Sequence, residues 1–215
     1  MPVLVLGQDT ADGAPSGFDV GRIGMERGMR LIPLIAASAL AAGACGALAA
    51  SADQVAVANP ALKGTVQLNV TSPAFRSGAV IPDVYSSYAA GTRPPLDWSG
   101  APKGTKAFAV MVEDPDAPMA TPFVHWVMWN VPSTDHGLLE GRVPEGAIEG
   151  KMGAGRMGYF GPHPPAGPPH HYHFEVFALD QPLGLDPGAD AKALEAAMSG
   201  HVLGSGELVA TYQKQ

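Results

Sequence analysis

The chain has 215 residues, with 20 acidic and 13 basic side chains, and carries a formal net charge of −7. This length suits one domain of ordinary size, and an acidic chain without clustered Lys and Arg excludes a nucleic-acid groove. A single cysteine excludes an intramolecular disulfide and any multi-thiolate metal site. The 27 glycines and 21 prolines predict a mainly β fold with many loops and few long helices.

The first 52 residues are predicted to lie outside the folded domain. Residues 1–24 show neither helical nor strand periodicity and are interpreted as a disordered leader, whereas residues 25–52 have the order of parts typical of a secretory signal. Two arginines precede an apolar run, residues 31–44, and small residues follow it up to Ala52. The run is shorter than the roughly 20 residues that span a bilayer, which disfavours a transmembrane helix. The alternative for this run is an Ala-rich buried helix.

The one cysteine lies at the end of the apolar run. Cys45 follows Ala42-Gly43-Ala44, which is close to the small-residue pattern before the lipidated cysteine of bacterial lipoproteins. Lipidation at Cys45 and simple cleavage near Ala52 both remain open. Either event leaves a single mature domain, residues 53–215, that is secreted or periplasmic and that contacts a membrane only through a lipid anchor.

The mature region alternates short apolar runs with turn residues. Period-2 alternation predicts a half-buried strand at residues 66–71, and two continuous apolar runs predict central strands that are covered on both faces. A Pro-rich stretch, residues 158–169, has no strand potential. These patterns favour a β-sandwich with one or two peripheral helices. The other predicted elements are strands at residues 107–112, 123–131, 172–179 and 207–212, and a helix at residues 189–199.

Acidic side chains and a histidine flank the predicted central strands. Asp114 and Asp116 belong to the turn Glu-Asp-Pro-Asp-Ala-Pro, in which two prolines hold the carboxylates in a rigid conformation. The alternative is a solvated turn in which these acids only cap free amides. His125 opens the next strand, and alternation predicts that it shares a face with Val127 and Trp129, as a core histidine would.

A second group of candidate residues follows the Pro-rich loop. Gly161 begins a stiff Gly-Pro-His-Pro-Pro segment that leads into a strand. Alternation in that strand predicts that His170 and Tyr172 lie on one face, while His171 and His173 lie on the opposite face. A metal cluster of these histidines is therefore disfavoured.

Four motifs follow one another along the mature chain. They are residues 93–106, the turn at 113–118, His125-Trp126 with Asn130, and Gly161-Pro162-x-Pro-Pro-x-Gly followed by His170-x-Tyr172-x-Phe174. Any one motif alone would be weak, but their order and spacing resemble the phosphatidylethanolamine-binding protein family, in particular its bacterial Raf-kinase-inhibitor-like branch. The likeness covers roughly residues 68–212, which is most of the mature chain.

The resemblance implies a large central β-sheet and a small pocket that binds anions, such as the phosphate of a phospholipid headgroup. The protonated imidazoles and a tyrosine hydroxyl would donate hydrogen bonds to the anion, so binding should tighten at lower pH. His171 stands where the family usually has Arg, which would remove an ion pair or make it pH-dependent. By position, the residues that match the family's ligand-binding site are Asp114, Asp116, His125, Gly161, Pro162, His170 and Tyr172.

Three classes of function follow from these residues. The first, which the resemblance favours, is a non-catalytic binding protein for a small anion or phosphoryl group, without a cofactor or metal. The second is a protein-interaction module that inhibits a protease or kinase. The third is a metal-assisted hydrolase, which the residue types permit, although the sequence lacks His-Glu-x-x-His and Gly-x-Ser-x-Gly.

Overall fold

The computed structural model describes residues 54–215. The predicted leader, the signal segment and the candidate lipidation site at Cys45 lie outside the described residues. Three short 3-10 turns lie at Ala56–Ala58, Pro60–Leu62 and Asp83–Tyr85. The strands are β1 (Val66–Gln67), β2 (Asn69–Thr71), β3 (Leu96–Ser99), β4 (Ala107–Asp114), β5 (Phe123–Pro132), β6 (Gly137–Leu138), β7 (Ile148–Glu149), β8 (His170–Leu179) and β9 (Val202–Tyr212), and the helix α1 is Ala191–Met198.

These strands form two sheets. The large sheet has the order β1-β9-β8-β4-β5-β7, and the small sheet has the order β2-β3-β6. Apart from the parallel pair β1 and β9, all neighbours are antiparallel. The mainly β architecture with a large central sheet confirms the fold class that the sequence predicts. Strand β4 is buried along its whole length, as a central strand covered on both faces should be.

Two apolar cores cover the two faces of the large sheet. The first core contains side chains of both sheets, such as Val70 and Trp98 from the small sheet and Phe108 and Phe174 from the large one. The second core packs the opposite face of the large sheet against α1 and the 3-10 turns near residues 56–62. Among the described residues, no helix is long and apolar enough to cross a membrane.

The structure corrects the prediction of a single strand at residues 66–71. Residues 66–67 pair with β9 in the large sheet, whereas residues 69–71 pair with β3 in the small sheet. Leu68 lies between them and is buried in the first core. The chain therefore changes sheets at a corner, which period-2 alternation does not reveal because the pattern continues through the corner.

Two irregularities in β5 correct its predicted faces. Val112 pairs with Trp126 and Glu113 pairs with Val124, so the ladder skips His125. As a result His125 lies on the face of the first core, against Tyr172, whereas Val127 and Trp129 belong to the second core. A β-bulge of this kind adds one residue to a strand and reverses the alternation beyond it. The prediction that His125 shares a face with Val127 and Trp129 was therefore wrong.

A second bulge in β5 centres on Asn130. Its φ of 58° lies in the left-handed region, where Asn is among the few residues that are tolerated. The Asn130 amide donates to the Leu183 carbonyl and accepts from the Leu183 backbone N–H, at 3.0 and 2.8 Å. Both bonds hold the segment after β8 against β5.

Candidate functional site

Three strands bring the candidate side chains to one edge of the large sheet. Asp114 is the last residue of β4, His125 lies near the start of β5, and His170 is the first residue of β8. Because β4 runs antiparallel to both neighbours, its end lies beside their beginnings. The face reversal at the bulge then places His125 on the same side of the sheet as Asp114 and His170.

The Asp114 carboxylate is the centre of this group. His170 Nδ1 lies 2.8 Å from Asp114 Oδ2, and His125 Nε2 lies 3.9 Å from the same oxygen. The other oxygen, Oδ1, accepts the backbone N–H of Asp116 at 2.9 Å. Burial raises the pKa of Asp114, but the nearby His125 imidazole and the hydrogen-bonded His170 imidazole together outweigh burial and hold the pKa below its usual range.

Both imidazoles have their orientation fixed through Nδ1. His125 Nδ1 donates to the Phe160 carbonyl oxygen at 2.7 Å, and its ring stacks on Phe160 with an interplanar angle of 9°. A carbonyl oxygen only accepts and an ionised carboxylate only accepts, so Nδ1 carries the proton in both histidines. His170 Nε2 has no hydrogen-bond partner among residues 54–215. A protonated His170 therefore has one N–H available for a ligand.

The Tyr172 hydroxyl is buried beside these groups. The side chain is fully buried, its ring meets the His125 ring edge-on at 5.1 Å, and the hydroxyl makes no well-formed hydrogen bond with any described residue. Burial, and then the nearby Asp114 charge, raise the pKa of Tyr172, so it stays a neutral donor. The hydroxyl is closed to solvent, so it lies behind the imidazoles rather than on the open surface of the site.

A cavity of about 240 Å³ opens onto this group. Its polar floor is formed by Asp114, His125 and His170, and its walls are mostly apolar. Sites that combine apolar walls with a few polar groups at one end are typical of small-molecule binding. The remaining lining residues are Ala117, Pro118, Met119, Phe123, Phe160, His163, Pro164 and Pro165.

Asp116 contacts the opposite side of β8 rather than the cavity. Its Oδ2 lies 2.7 Å from both the backbone N and the Nδ1 of His171. Both side chains are about half exposed, so this pair is close to solvent. His171, which stands where the family usually has Arg, therefore has a carboxylate partner in Asp116.

Gly161 and Pro162 lie behind the cavity wall and do not line it. The Gly161 carbonyl accepts from the Ser87 hydroxyl at 3.0 Å, and the Pro162 carbonyl accepts from the Ser87 backbone N–H at 3.1 Å. A Cβ on Gly161 would overlap the Tyr85 carbonyl, so this close approach requires glycine. These residues position the wall that Phe160 and His163 present to the cavity.

Sequence reasoning missed the apolar walls of the cavity. Met119 and Phe123 come from the turn and the first residue of β5, and Phe160 comes from the Pro-rich loop. No periodic pattern marks them, since they lie at the ends of elements or in loops. The described residues contain no cluster of three or more His, Cys, Asp or Glu side chains arranged to hold a metal ion.

Comparison with known proteins places this arrangement in a family. The family model for the phosphatidylethanolamine-binding protein matches residues 71–213, which include every part of the site. The chain belongs to the phosphatidylethanolamine-binding protein family. The motif order that the sequence shows is thereby confirmed as a family relationship.

Members of this family from distant organisms are similar to the chain. A UPF0098 protein of Methanothermobacter thermautotrophicus is 40% identical over 152 residues, covering 68% of this chain and 99% of its own length. LppC of Mycobacterium tuberculosis, which its name describes as a candidate lipoprotein, is 37% identical over 147 residues, covering 68% and 72%. The crystal structure of E. coli YbcL, described as a new member of the mammalian phosphatidylethanolamine-binding protein family, matches with a TM-score of 0.66 at 31% identity. The match covers 69% of this chain and 99% of YbcL.

Proposed function

We propose that the cavity at the ends of β4, β5 and β8 binds a small anion, in the form of a phosphoryl group such as that of a phospholipid headgroup, without catalysing a reaction. The observation that carries the proposal is the convergence of two oriented imidazoles on the floor of an apolar-walled cavity. His170 lines the cavity, and its Nε2 lacks a protein partner among the described residues. An anion in the cavity would supply an acceptor to it.

The charge of the site depends on the protonation of the histidines. With both imidazoles neutral, Asp114 gives the floor a charge of −1, and each added proton raises that charge by one. Asp114 stays ionised into the acidic range because its pKa is lowered, so it orients His170 rather than taking its proton. Protonation of either imidazole adds a positive charge to the floor, so anion affinity should rise as the pH falls from about 8 to 5.

The roles proposed for the lining residues are those of a binding site. Asp114 is hydrogen-bonded to His170 and to the Asp116 backbone N–H, so its carboxylate is engaged in holding the site together. The proposed ligand contacts are the His125 and His170 imidazoles, which line the cavity. Tyr172, which the family resemblance assigns to the ligand site, is buried against His125 and does not line the cavity. We assign Asp114 an orienting role, and Asp116, Gly161 and Pro162 a role in shaping the site.

We also propose that the chain is exported and that residues 53–215 form the mature domain. The order of basic, apolar and small residues in the first 52 positions supports export. The similarity to LppC, which carries a lipoprotein name, supports a location outside the cytoplasm and anchoring through Cys45. Mass spectrometry of the protein from a membrane fraction tests this directly. A diacylglyceryl adduct at Cys45 supports anchoring, a terminus near Asp53 supports cleavage alone, and an intact terminus contradicts export.

Isothermal titration calorimetry of the purified protein with methyl phosphate between pH 5 and 8 tests the anion pocket. We expect binding that weakens as the pH rises, and a loss of at least tenfold at pH 5.5 in His170→Ala, because a charge-assisted hydrogen bond contributes about 1.5–3 kcal/mol. Glycerophosphoethanolamine as a second probe distinguishes a headgroup from a free phosphate.

The matched control is His201→Ala, which removes an exposed histidine paired with Asp180 outside the cavity. Its affinity should equal that of the wild type at every pH. Affinity that is flat between pH 5 and 8, or equal losses in the two variants, would contradict the proposal. Native mass spectrometry of the same preparations shows whether a phosphate-type adduct co-purifies and whether His170→Ala removes it.

A further inference from the structure

A second cavity of about 330 Å³ adjoins the proposed anion pocket. The two cavities share Met119 and Phe123 in their walls, so these two side chains form the boundary between them. Phe123 packs against Gly153, where a Cβ would lie only 2.9 Å from the ring, and Gly153 N donates to the Val124 carbonyl. The fold therefore fixes Phe123, whereas Met119 is 46% exposed.

The chemistry of the second cavity differs from that of the first. It is lined by Lys151 and Lys192, both exposed, together with apolar side chains and a single acid, Asp190. Asp190 is already engaged, since its Oδ1 caps α1 by accepting from the Ala193 backbone N–H at 2.9 Å. Neither lysine forms an ion pair with any residue in the described range.

A third cation lies near the anion pocket. The Arg156 guanidinium is 5.4 Å from the centre of the Phe160 ring, which is a wall of that pocket. Residues 53–215 carry 16 acidic but only 10 basic side chains. Two of these ten basic side chains line the second cavity, and a third contacts a wall of the first.

We propose that this groove, which we call the lysine groove (Lys151, Lys192 and the shared wall Met119 and Phe123), binds a second anionic group of the same ligand. The ligand class is a small phosphoryl compound with a carboxylate or another anion separated from the phosphorus by a short apolar linker. The inference rests on the proposed function, since the phosphoryl group would occupy the histidine pocket. The shared apolar wall contacts the linker, and the lysines contact the distal charge.

The lysine groove has a consequence for selectivity. The two ammonium groups outnumber the single carboxylate of Asp190, so the groove attracts a distal carboxylate and repels a distal ammonium group. A ligand of the phosphoethanolamine type should therefore bind less tightly than its carboxylate-ended counterpart. Because both lysines are exposed, each contact is screened by salt and contributes modestly. We expect a carboxylate preference of roughly three- to tenfold over a methyl-ended ligand at low salt.

The test uses alkylphosphonates with two to six methylene groups that end in a methyl, a carboxylate or an ammonium group. Calorimetry at pH 5.5 should give the affinity order carboxylate, methyl, ammonium at the best linker length. In Lys151→Gln/Lys192→Gln the three affinities should converge, while the methyl-ended probe keeps its wild-type affinity. The matched control, Lys103→Gln/Lys106→Gln, removes the same charge from the loop at the opposite end of β4 and should keep the preference.

The outcomes separate this inference from the proposed function. Equal affinities for all three end groups, with binding still lost in His170→Ala, would overturn the lysine groove and leave the pocket intact. A carboxylate preference that survives in the groove variant or disappears in the control would also overturn it. If no probe binds, or if His170→Ala changes nothing, the anion pocket itself is wrong and the groove falls with it.

Discussion

A buried pair of glutamates on the face of the sheet opposite the site leads to a stability prediction. Glu175 in β8 is fully buried, and its Oε1 accepts the Val57 backbone N–H at 2.8 Å, while Oε2 accepts from no described residue. Glu113 in β4 accepts the Ala56 N–H at 2.6 Å. Burial, and then the adjacent Glu113 charge, raise the pKa of Glu175 well above its usual value. We infer that Glu175 holds a proton and donates it to Glu113.

The sign of the pH effect follows from this raised pKa. The folded state holds a proton that the unfolded chain releases near pH 4.5, so stability is complete below that pH and falls as the pH rises towards the folded-state pKa. A group whose folded and unfolded pKa values differ by one contributes about 1.4 kcal/mol to this fall. Glu175→Gln keeps the acceptor for Val57 and supplies an N–H donor for Glu113, without an ionisable group.

We therefore expect Glu175→Gln to match the wild type at pH 5 and to exceed its free energy of unfolding by about 1–3 kcal/mol at pH 8, because the amide has no proton to lose. Urea denaturation at pH 5, 6, 7 and 8, followed by tryptophan fluorescence, measures this difference. The matched control is Glu145→Gln, which removes an exposed carboxylate and should follow the wild-type curve.

Two results would refute the reasoning. If Glu175→Gln retains the wild-type decline of stability with pH, another group causes the decline. If it loses more than about 2 kcal/mol at pH 5, the ionised carboxylate is required and the proton assignment is wrong.

Two further predictions concern residues at the site. Asp114→Asn should cost about 1–3 kcal/mol at pH 7, because a carboxylate accepts from His170 and the Asp116 N–H with separate oxygens while an amide has only one acceptor. Because the pKa of Asp114 is lowered, the extra free energy of unfolding of the wild type is present above pH 3.8 and is lost as the pH falls through the folded-state pKa. The urea midpoints of the wild type and Asp114→Asn should therefore converge at low pH. Gly161→Ala should lower the free energy of unfolding by about 2–4 kcal/mol, because the new Cβ would overlap the Tyr85 carbonyl. The control is Gly167→Ala, where a Cβ meets no other atom, and this variant should have the wild-type free energy of unfolding in the same assay.

Several parts of the fold could be predicted from local pattern because local physics decides them. The runs that became β4 and β5 were predicted as central strands because continuous apolar composition is a sign of burial on both faces. β4 is buried along its whole length and β5 through its middle. The helix prediction was confirmed at Ala191–Met198, one or two residues shorter at each end, with Asp190 as its N-cap. The Pro-rich loop has no strand because proline cannot donate to a ladder. Strands β8 and β9 begin earlier than the predicted residues 172 and 207, at His170 and Val202, because the two strands pair with each other over this length.

The candidate site was predicted in part. His170 and Tyr172 share a face because β8 is regular at that point, so alternation holds there. For His125 the same rule failed, since its orientation depends on a bulge that forms only against β4. The cavity walls come from loop residues such as Phe160, and their position depends on contacts with distant segments. The lysine groove likewise joins side chains that are about 40 residues apart in the chain.

The amino-acid sequence by itself determined the ordered motifs, the alternation of β8 and the rigid Asp-Pro-Asp-Ala-Pro turn, since each depends on residues close together in the chain. Only the tertiary structure decided which sheet residues 66–71 join, which face His125 takes, and that Glu113 and Glu175 share one buried environment. The physical reason is that strand partners, bulges and buried charge pairs are chosen by contacts across the sheet, where the energy of packing exceeds local preference.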